Sequence, residues 1–161
     1  MNNFEKVYKD HARSVYRFLL ALTGEEHMAE ELLQETFYQA FIHIDQFEGR
    51  SSLYTWLCQI GKNAWLKECK RKKRYVETAW EELKLPDKEP PPDVQCMQKE
   101  EHMRMRQAIL KLEEPYKEVL LLHAYGGIKL KEIAGMYGKT ESWARVTYYR
   151  ARQQVVQELS G

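Results

Sequence analysis

The sequence is poor in the features that mark secreted, fibrous and membrane proteins. Its three cysteines, Cys58, Cys69 and Cys96, are an odd number without close pairing. No disulfide framework is expected, and Cys58 reads as a reduced core thiol. Eight glycines in 161 residues exclude a fibrous chain. No apolar run approaches the ~20 residues that span a bilayer. The opening "MNNFEKVYKDHARSVYRF" is charged throughout and lacks an apolar core and a small-residue cleavage site. No signal peptide is expected, and the protein is expected in the cytoplasm. Proline is scarce except in "LPDKEPPPD", which holds four of the five. An excess of either charge is also missing, with 25 Lys and Arg against 24 Asp and Glu. Net charge therefore identifies no partner, and the placement of charge becomes the informative quantity.

That placement is uneven. Residues 25–48 hold seven carboxylates and no Lys or Arg, whereas "KNAWLKECKRKKR" at 62–74 holds seven basic side chains and one acid. Helical spacing sorts these charges onto faces. Phe4, Val7, Tyr8, His11, Val15, Phe18, Leu19 and Leu22 form the apolar stripe of a first helix, which Gly24 ends. A second helix is predicted from about Glu26 to Ile44. Ala29, Leu32, Leu33, Thr36 and Ala40 share one of its faces, and Glu31, Gln34, Glu35 and Tyr38 share another. "DQFEGRSS" at 45–52 is a loop, with Gly49 at the turn and Ser51 or Ser52 able to cap the next helix. That third helix has Leu53, Trp56, Leu57, Ile60 and Ala64 inside. Asn63, Lys67, Lys70, Arg71 and Arg74 lie along an outer face.

Residues 75–101 carry eight acids against three lysines together with the proline run, and they read as an extended linker. Helical patterns then resume. "MRQAILKLEEPYKEVLLLHAYGG" gives a helix, a turn at Pro115 and a very apolar helix. Leu130, Ile133, Ala134 and Tyr137 give a short amphipathic helix. "GKT" at 138–140 turns the chain, with Thr140 a candidate cap. A last helix then turns Ala144, Tyr148, Ala151 and Val155 inward.

A short helix, a Gly-containing turn and a second helix with Arg outward is a helix-turn-helix pattern, whose second helix enters the DNA major groove. Ser142, Arg145, Val146, Tyr149 and Arg150 would face outward there. Alone, the pattern also fits a plain helical hairpin with a solvated basic face. The basic face at 62–74 is ambiguous in the same way, and phosphate binding becomes the better reading because a second DNA-binding element shares the chain. Tyr54 and Trp56 lie beside it; such aromatics can stack on bases, but Trp56 reads better as core. The acidic face cannot bind nucleic acid, and a protein with a basic surface suits it. Glu31 and Glu35 have no companion His, metal-ligand spacing or Gly-rich phosphate loop. No catalytic residue, metal, cofactor or small-molecule substrate is expected, and the chain is read as not itself an enzyme.

"AEELLQETFYQAFIHIDQFEGRSSLYTWLCQIGKNAWLKECKRKKR" closely resembles region two of bacterial extracytoplasmic-function (ECF, group 4) RNA polymerase sigma factors of the sigma-70 family. "LEEPYKEVLLLHAYGGIKLKEIAGMYGKTESWARVTYYRARQQV" resembles their region four, in the family's order and across its linker. The resemblance implies an all-α protein of two small helical domains, region two over 1–75 and region four over 102–161, joined by an acidic, Pro-rich linker at 76–101. It implies that Glu31, Gln34 and Glu35, with Phe37 nearby, dock on the β′ clamp helices of core RNA polymerase, the β subunit being a further partner. Phe47, Arg50 and Ser51, in the loop from Phe47 to Ser52, would hold a base flipped from the promoter −10 element. Asn63, Lys67, Lys70 and Arg71 would lie against that DNA. Ser142, Arg145, Val146, Tyr149 and Arg150 would meet the −35 element. An anti-sigma factor, commonly membrane-anchored, is a further implied partner. Trp143 and Thr147 stand where the family often has Thr and Arg, and Arg50 replaces a common small or acidic residue. The rival reading is a stand-alone helix-turn-helix regulator with an effector-sensing N-terminal domain.

Overall fold

Apolar stripes at helical spacing have to be buried against one another, and three of them make the N-terminal unit. The computed structural model describes residues 3–83 and 94–161, with side chains over 3–74 and 100–161. Helix α1 runs Asn3–Thr23, α2 Glu26–His43 and α3 Leu53–Leu83. Gly24 joins α1 to α2 at a φ of 69°, a conformation that side chains disfavour. A single 3₁₀ turn, Ile44–Gln46, leads into the loop before α3.

Val15, Phe18, Leu19 and Leu22 of α1 pack with Ala29, Leu32 and Ala40 of α2 and with Leu57, Cys58 and Trp65 of α3. Each such apolar side chain contributes on the order of 1.5–3 kcal/mol when fully buried. Thr36 is buried among them, and its hydroxyl donates to Leu32 O at 2.6 Å, which offsets the cost of desolvating it. Gly61 lets α3 approach closely. A Cβ there would stand 3.1 Å from Leu19 Cδ2 and 3.2 Å from Thr36 Oγ1.

The stretch 76–101, read as extended, is helical at both ends. Helix α3 continues to Leu83, and α4 already begins at Val94 and runs to Leu110. The proline triplet lies outside the described residues. After α4 come α5, Tyr116–Leu120, and a π-helical turn, Leu121–Tyr125. Helix α6, Leu130–Met136, and α7, Glu141–Ser160, complete the helix-turn-helix. Their core is Ala108, Ile109, Val119–Leu122, Ile133, Ala144, Ala151 and Val155. Thr140 caps α7 as its sequence position suggests, its hydroxyl accepting from Trp143 N at 3.2 Å.

The two units meet along a seam where α1 and α3 pack on the Leu121–Tyr125 turn. Tyr54 donates its hydroxyl to Gly126 O at 2.9 Å, and Arg106 Nε donates to Leu22 O at 2.5 Å. The Lys62 ammonium pairs with the Glu118 carboxylate inside the seam.

The turn between α6 and α7 depends on Gly138, whose φ is 64°. A Cβ there meets nothing within 4 Å, so an alanine pays only for the left-handed backbone. Gly138→Ala should lower the stability of the C-terminal unit by about 1–2 kcal/mol. In a urea titration the midpoint should fall with the slope unchanged.

Candidate nucleic-acid interface

Helix α3 is capped where the loop ends. Thr55 N donates to the Ser52 hydroxyl at 3.2 Å, so Ser52, of the two candidates, caps the helix. Before it, Phe47 tilts against Trp56 with ring centroids 5.3 Å apart. Gly49 turns the backbone at a φ of 75°, and Arg50 pairs with Glu48 at 3.0 Å on the exposed rim. Phe47, Arg50 and Ser51 thus border a small concavity of about 190 Å³, together with Trp56, Gln59 and Met136. Trp56 is half-buried, part core and part wall.

The acidic and basic stripes are the two walls of one groove. Glu31 and Glu35 on α2 face Asn63, Lys67, Lys70, Arg71 and Arg74 on α3 across about 850 Å³. Gln34 is exposed on α2 but does not line this groove. Glu35 accepts from Gln39 Nε2 at 2.9 Å, and Glu31 lies 3.0 Å from His27 Nε2. Arg71 is turned to Glu68 at 2.6 Å, and that bond holds the Glu68 carboxyl below its ordinary value.

Two residues of these segments lie elsewhere. Phe37 is 4 % exposed and packs edge-on against Phe4 and Tyr8, so it holds α1 on α2 and does not share the exposed side of Glu31, Gln34 and Glu35. Lys62 heads the basic tract in sequence but is 3 % exposed, and its ammonium is committed to Glu118. It is a structural lysine at the seam. Tyr137 donates its hydroxyl to the other Glu118 oxygen at 2.5 Å; burial and then that carboxylate push its phenol up. Burial likewise pushes the Cys58 thiol up to about 12, so it is an inert core group.

On α7 the outward set is as expected. Ser142, Arg145, Val146, Tyr149 and Arg150 are all exposed along one side. Gln153 Nε2 donates to the Tyr149 hydroxyl at 2.8 Å, and Arg145 reaches back to Glu141 at 2.9 Å. Thr147 is only 5 % exposed, so this departure from the family pattern lies on the packed side of the helix.

Sequence reasoning missed Glu132 of α6. Its carboxylate accepts from Ser52 N at 2.9 Å and lies 3.0 Å from the Ser52 hydroxyl. Burial raises this carboxyl, but hydrogen bonds from Thr55 and Ser52 outweigh it and leave it below its ordinary value. No local pattern could have found the contact, because the residues are 80 apart in sequence.

These two units are the parts of a sigma-70-type transcription initiation factor: residues 7–75 match the Sigma-70 region 2 family, and residues 102–155 match Sigma-70, region 4. The ECF RNA polymerase sigma factor SigM of Bacillus subtilis is 30% identical over 156 residues, covering 94% of this chain and 91% of that protein. The RNA polymerase sigma factor YlaC of the same organism is 25% identical over 161 residues, covering 99% and 93%. The fold is shared with the sigma factor RpoE of Bartonella quintana, solved in complex with the anti-sigma factor NepR, at a TM-score of 0.60 and 21% identity over 99% and 98% of the two chains. The chain belongs to the ECF RNA polymerase sigma factors. Its function is the initiation of transcription at promoters. Among the described residues, no helix is long and apolar enough to cross a membrane.

Proposed function

We propose that this chain is a group 4 ECF sigma factor, working in the cytoplasm and not itself an enzyme, whose promoter and polymerase contacts divide between the surfaces just described. The exposed α2 side of Glu31, Gln34 and Glu35 docks on the β′ clamp helices of core polymerase, with Phe37 supporting it from beneath. The Phe47–Ser52 loop captures a −10 base, with Asn63, Lys67, Lys70 and Arg71 neutralising nearby phosphates. Ser142, Arg145, Val146, Tyr149 and Arg150 read the −35 element. The observation that carries this division is the sorting of charge in one small unit. An acidic helix face and a basic one flank a single groove, and the aromatic-lined loop joins the two helices. The stand-alone regulator reading lacks support beside this one, because both units match sigma-70 regions. An anti-sigma partner is supported by the RpoE complex with NepR, whose fold this chain shares.

The docking face gives the first test. Glu35 is exposed, so Glu35→Lys should leave the circular dichroism spectrum intact. It should weaken binding to core polymerase by about tenfold, through like-charge contact with a basic docking surface. Unchanged affinity in a core-binding titration would remove this face from the assignment.

The DNA faces give the second. Arg145 must leave Glu141 to pair with a base, which costs about 0.3–0.5 kcal/mol for an exposed pair. A bidentate base contact discriminates by ~1–3 kcal/mol, so the base wins. Arg145→Ala should lower transcription from a cognate promoter about tenfold, at ~1.4 kcal/mol per tenfold, and relax preference among −35 variants. Lys70→Ala should weaken all promoters alike and reduce the salt slope by about one. A library of −35 variants transcribed at fixed salt separates the two. Equal loss on every variant for Arg145→Ala would assign base readout to Tyr149 or Arg150.

A further inference from the structure

The edge of α7 that turns toward α6 carries two donors without partners where the helix begins. Trp143 is half-buried; its ring packs on the core and tilts against Tyr137 with centroids 5.1 Å apart. Tyr137 is itself held by its hydroxyl on Glu118 of α5. The indole ring is thus supported from behind, while its N–H has no hydrogen-bond partner among the described residues. An indole N–H can only donate, and an apolar ring body with a free polar tip suits an interface. Lys139, in the turn before α7, is exposed, and its ammonium pairs with no acid among the described residues. Trp143 shares a helical row with Val146 and Arg150, both in the −35 set. The acids nearby are engaged. Glu141 lies on the far edge of α7 and holds Arg145 at 2.9 Å, Glu118 holds Lys62 and Tyr137, and Glu114 accepts from Glu118 N at 3.2 Å.

We infer that Trp143 and Lys139 grip one phosphate of the −35 duplex at the entry of α7, the indole N–H donating to a phosphate oxygen and the ammonium neutralising its charge. The inference rests on the reading of α7 as the −35 helix and adds a backbone anchor to its base contacts. An α-helix with its side chains is about 10–12 Å across and the major groove about 12 Å wide, so side chains on the helix edge meet the phosphate walls while those at its tip meet bases. Ser142, Val146 and Tyr149 share the tip by helical spacing, and Trp143 lies on the edge. Phosphate contacts carry no sequence information but fix how deep and in which register a helix sits. A donor already held in place loses little freedom on binding, which the Tyr137 and Glu118 support provides for Trp143. Lys139, on a flexible arm, supplies charge; Trp143 supplies position.

Single-phosphate replacement tests this on the full chain with core polymerase. Promoters that each carry one uncharged methylphosphonate in the −35 region are transcribed by wild type, Trp143→Phe and Lys139→Ala. Phenylalanine keeps an aromatic ring against Tyr137 and removes the N–H. Trp143→Phe should lower transcription about tenfold, the worth of a hydrogen bond to a charged group, and by the same factor on every −35 sequence. Its salt slope should stay unchanged because the lost donor is neutral, whereas Lys139→Ala should reduce the slope by about one. One methylphosphonate should lower wild-type transcription and have much less effect on either variant, since the contact it removes is already gone. Thermal unfolding checks both folds, and Lys139→Ala, at an exposed side chain, carries the test if Trp143→Phe proves unstable. A methylphosphonate profile for both variants identical to that of wild type overturns the grip. A shifted preference among −35 sequences in Trp143→Phe overturns it too, by making Trp143 a base reader. Failure of the −35 reading itself looks different, because wild type would then be indifferent to every −35 sequence and phosphate.

Discussion

The docking of the two halves depends on one ammonium group placed where water cannot reach it. Lys62 sits at the seam with 3 % of its surface exposed, and leaving it there without Glu118 would cost several kcal/mol. Apolar packing between α1, α3 and the Leu121–Tyr125 turn is non-directional and tolerates sliding. The ion pair does not, because Glu118 must meet Lys62 with one oxygen while Tyr137 occupies the other. Tyr54 on Gly126 O and Arg106 on Leu22 O fix two more points along the same seam. The position of α6 over the 47–52 loop follows from this docking.

Helical geometry explains how a nearly neutral chain holds two strongly charged surfaces. With 3.6 residues per turn, Glu31 and Glu35 fall on one side of α2, and Lys67, Lys70, Arg71 and Arg74 on one side of α3. The apolar sides of both helices meet α1, so the charged sides are left to face each other across open solvent. Salt screens exposed charges over about 8 Å at physiological strength, so each wall acts mainly on a partner that comes close. The same unit can therefore offer an acidic surface to a protein and a basic one to DNA.

Most of this was legible because periodicity decides it. The outward set on α7, the cap at Thr140, the turn at Gly138 and the stripe of α1 all follow from spacing and local backbone chemistry. What was misread lies where a local rule met a tertiary partner. Lys62 opens the basic run but was not placed on its outer face, and its burial at the seam was not read. Its spacing from Cys58 and Trp65, four before and three after, places it on the buried line and could have shown this. Phe37 follows the acidic stripe in sequence but turns toward Phe4 and Tyr8, since three rings at the α1–α2 contact bury more apolar surface than an exposed one. Helices α3 and α4 extend into the acidic stretch because its flanks contain good helix formers, which the acid count and the prolines obscured. Glu118 and Glu132 carried no sequence signal, since their partners lie 56 and 80 residues away.

The division of labour between the acidic face of α2 and the outward face of α7 is tested most directly by site-specific photo-crosslinking in a complex of the full-length chain, core RNA polymerase and promoter DNA. With the crosslinker in place of Glu35, the account predicts attachment to polymerase; with the crosslinker in place of Tyr149, it predicts attachment to the −35 DNA. Attachment of the first to DNA, or of the second to protein alone, in a complex active in transcription would contradict it.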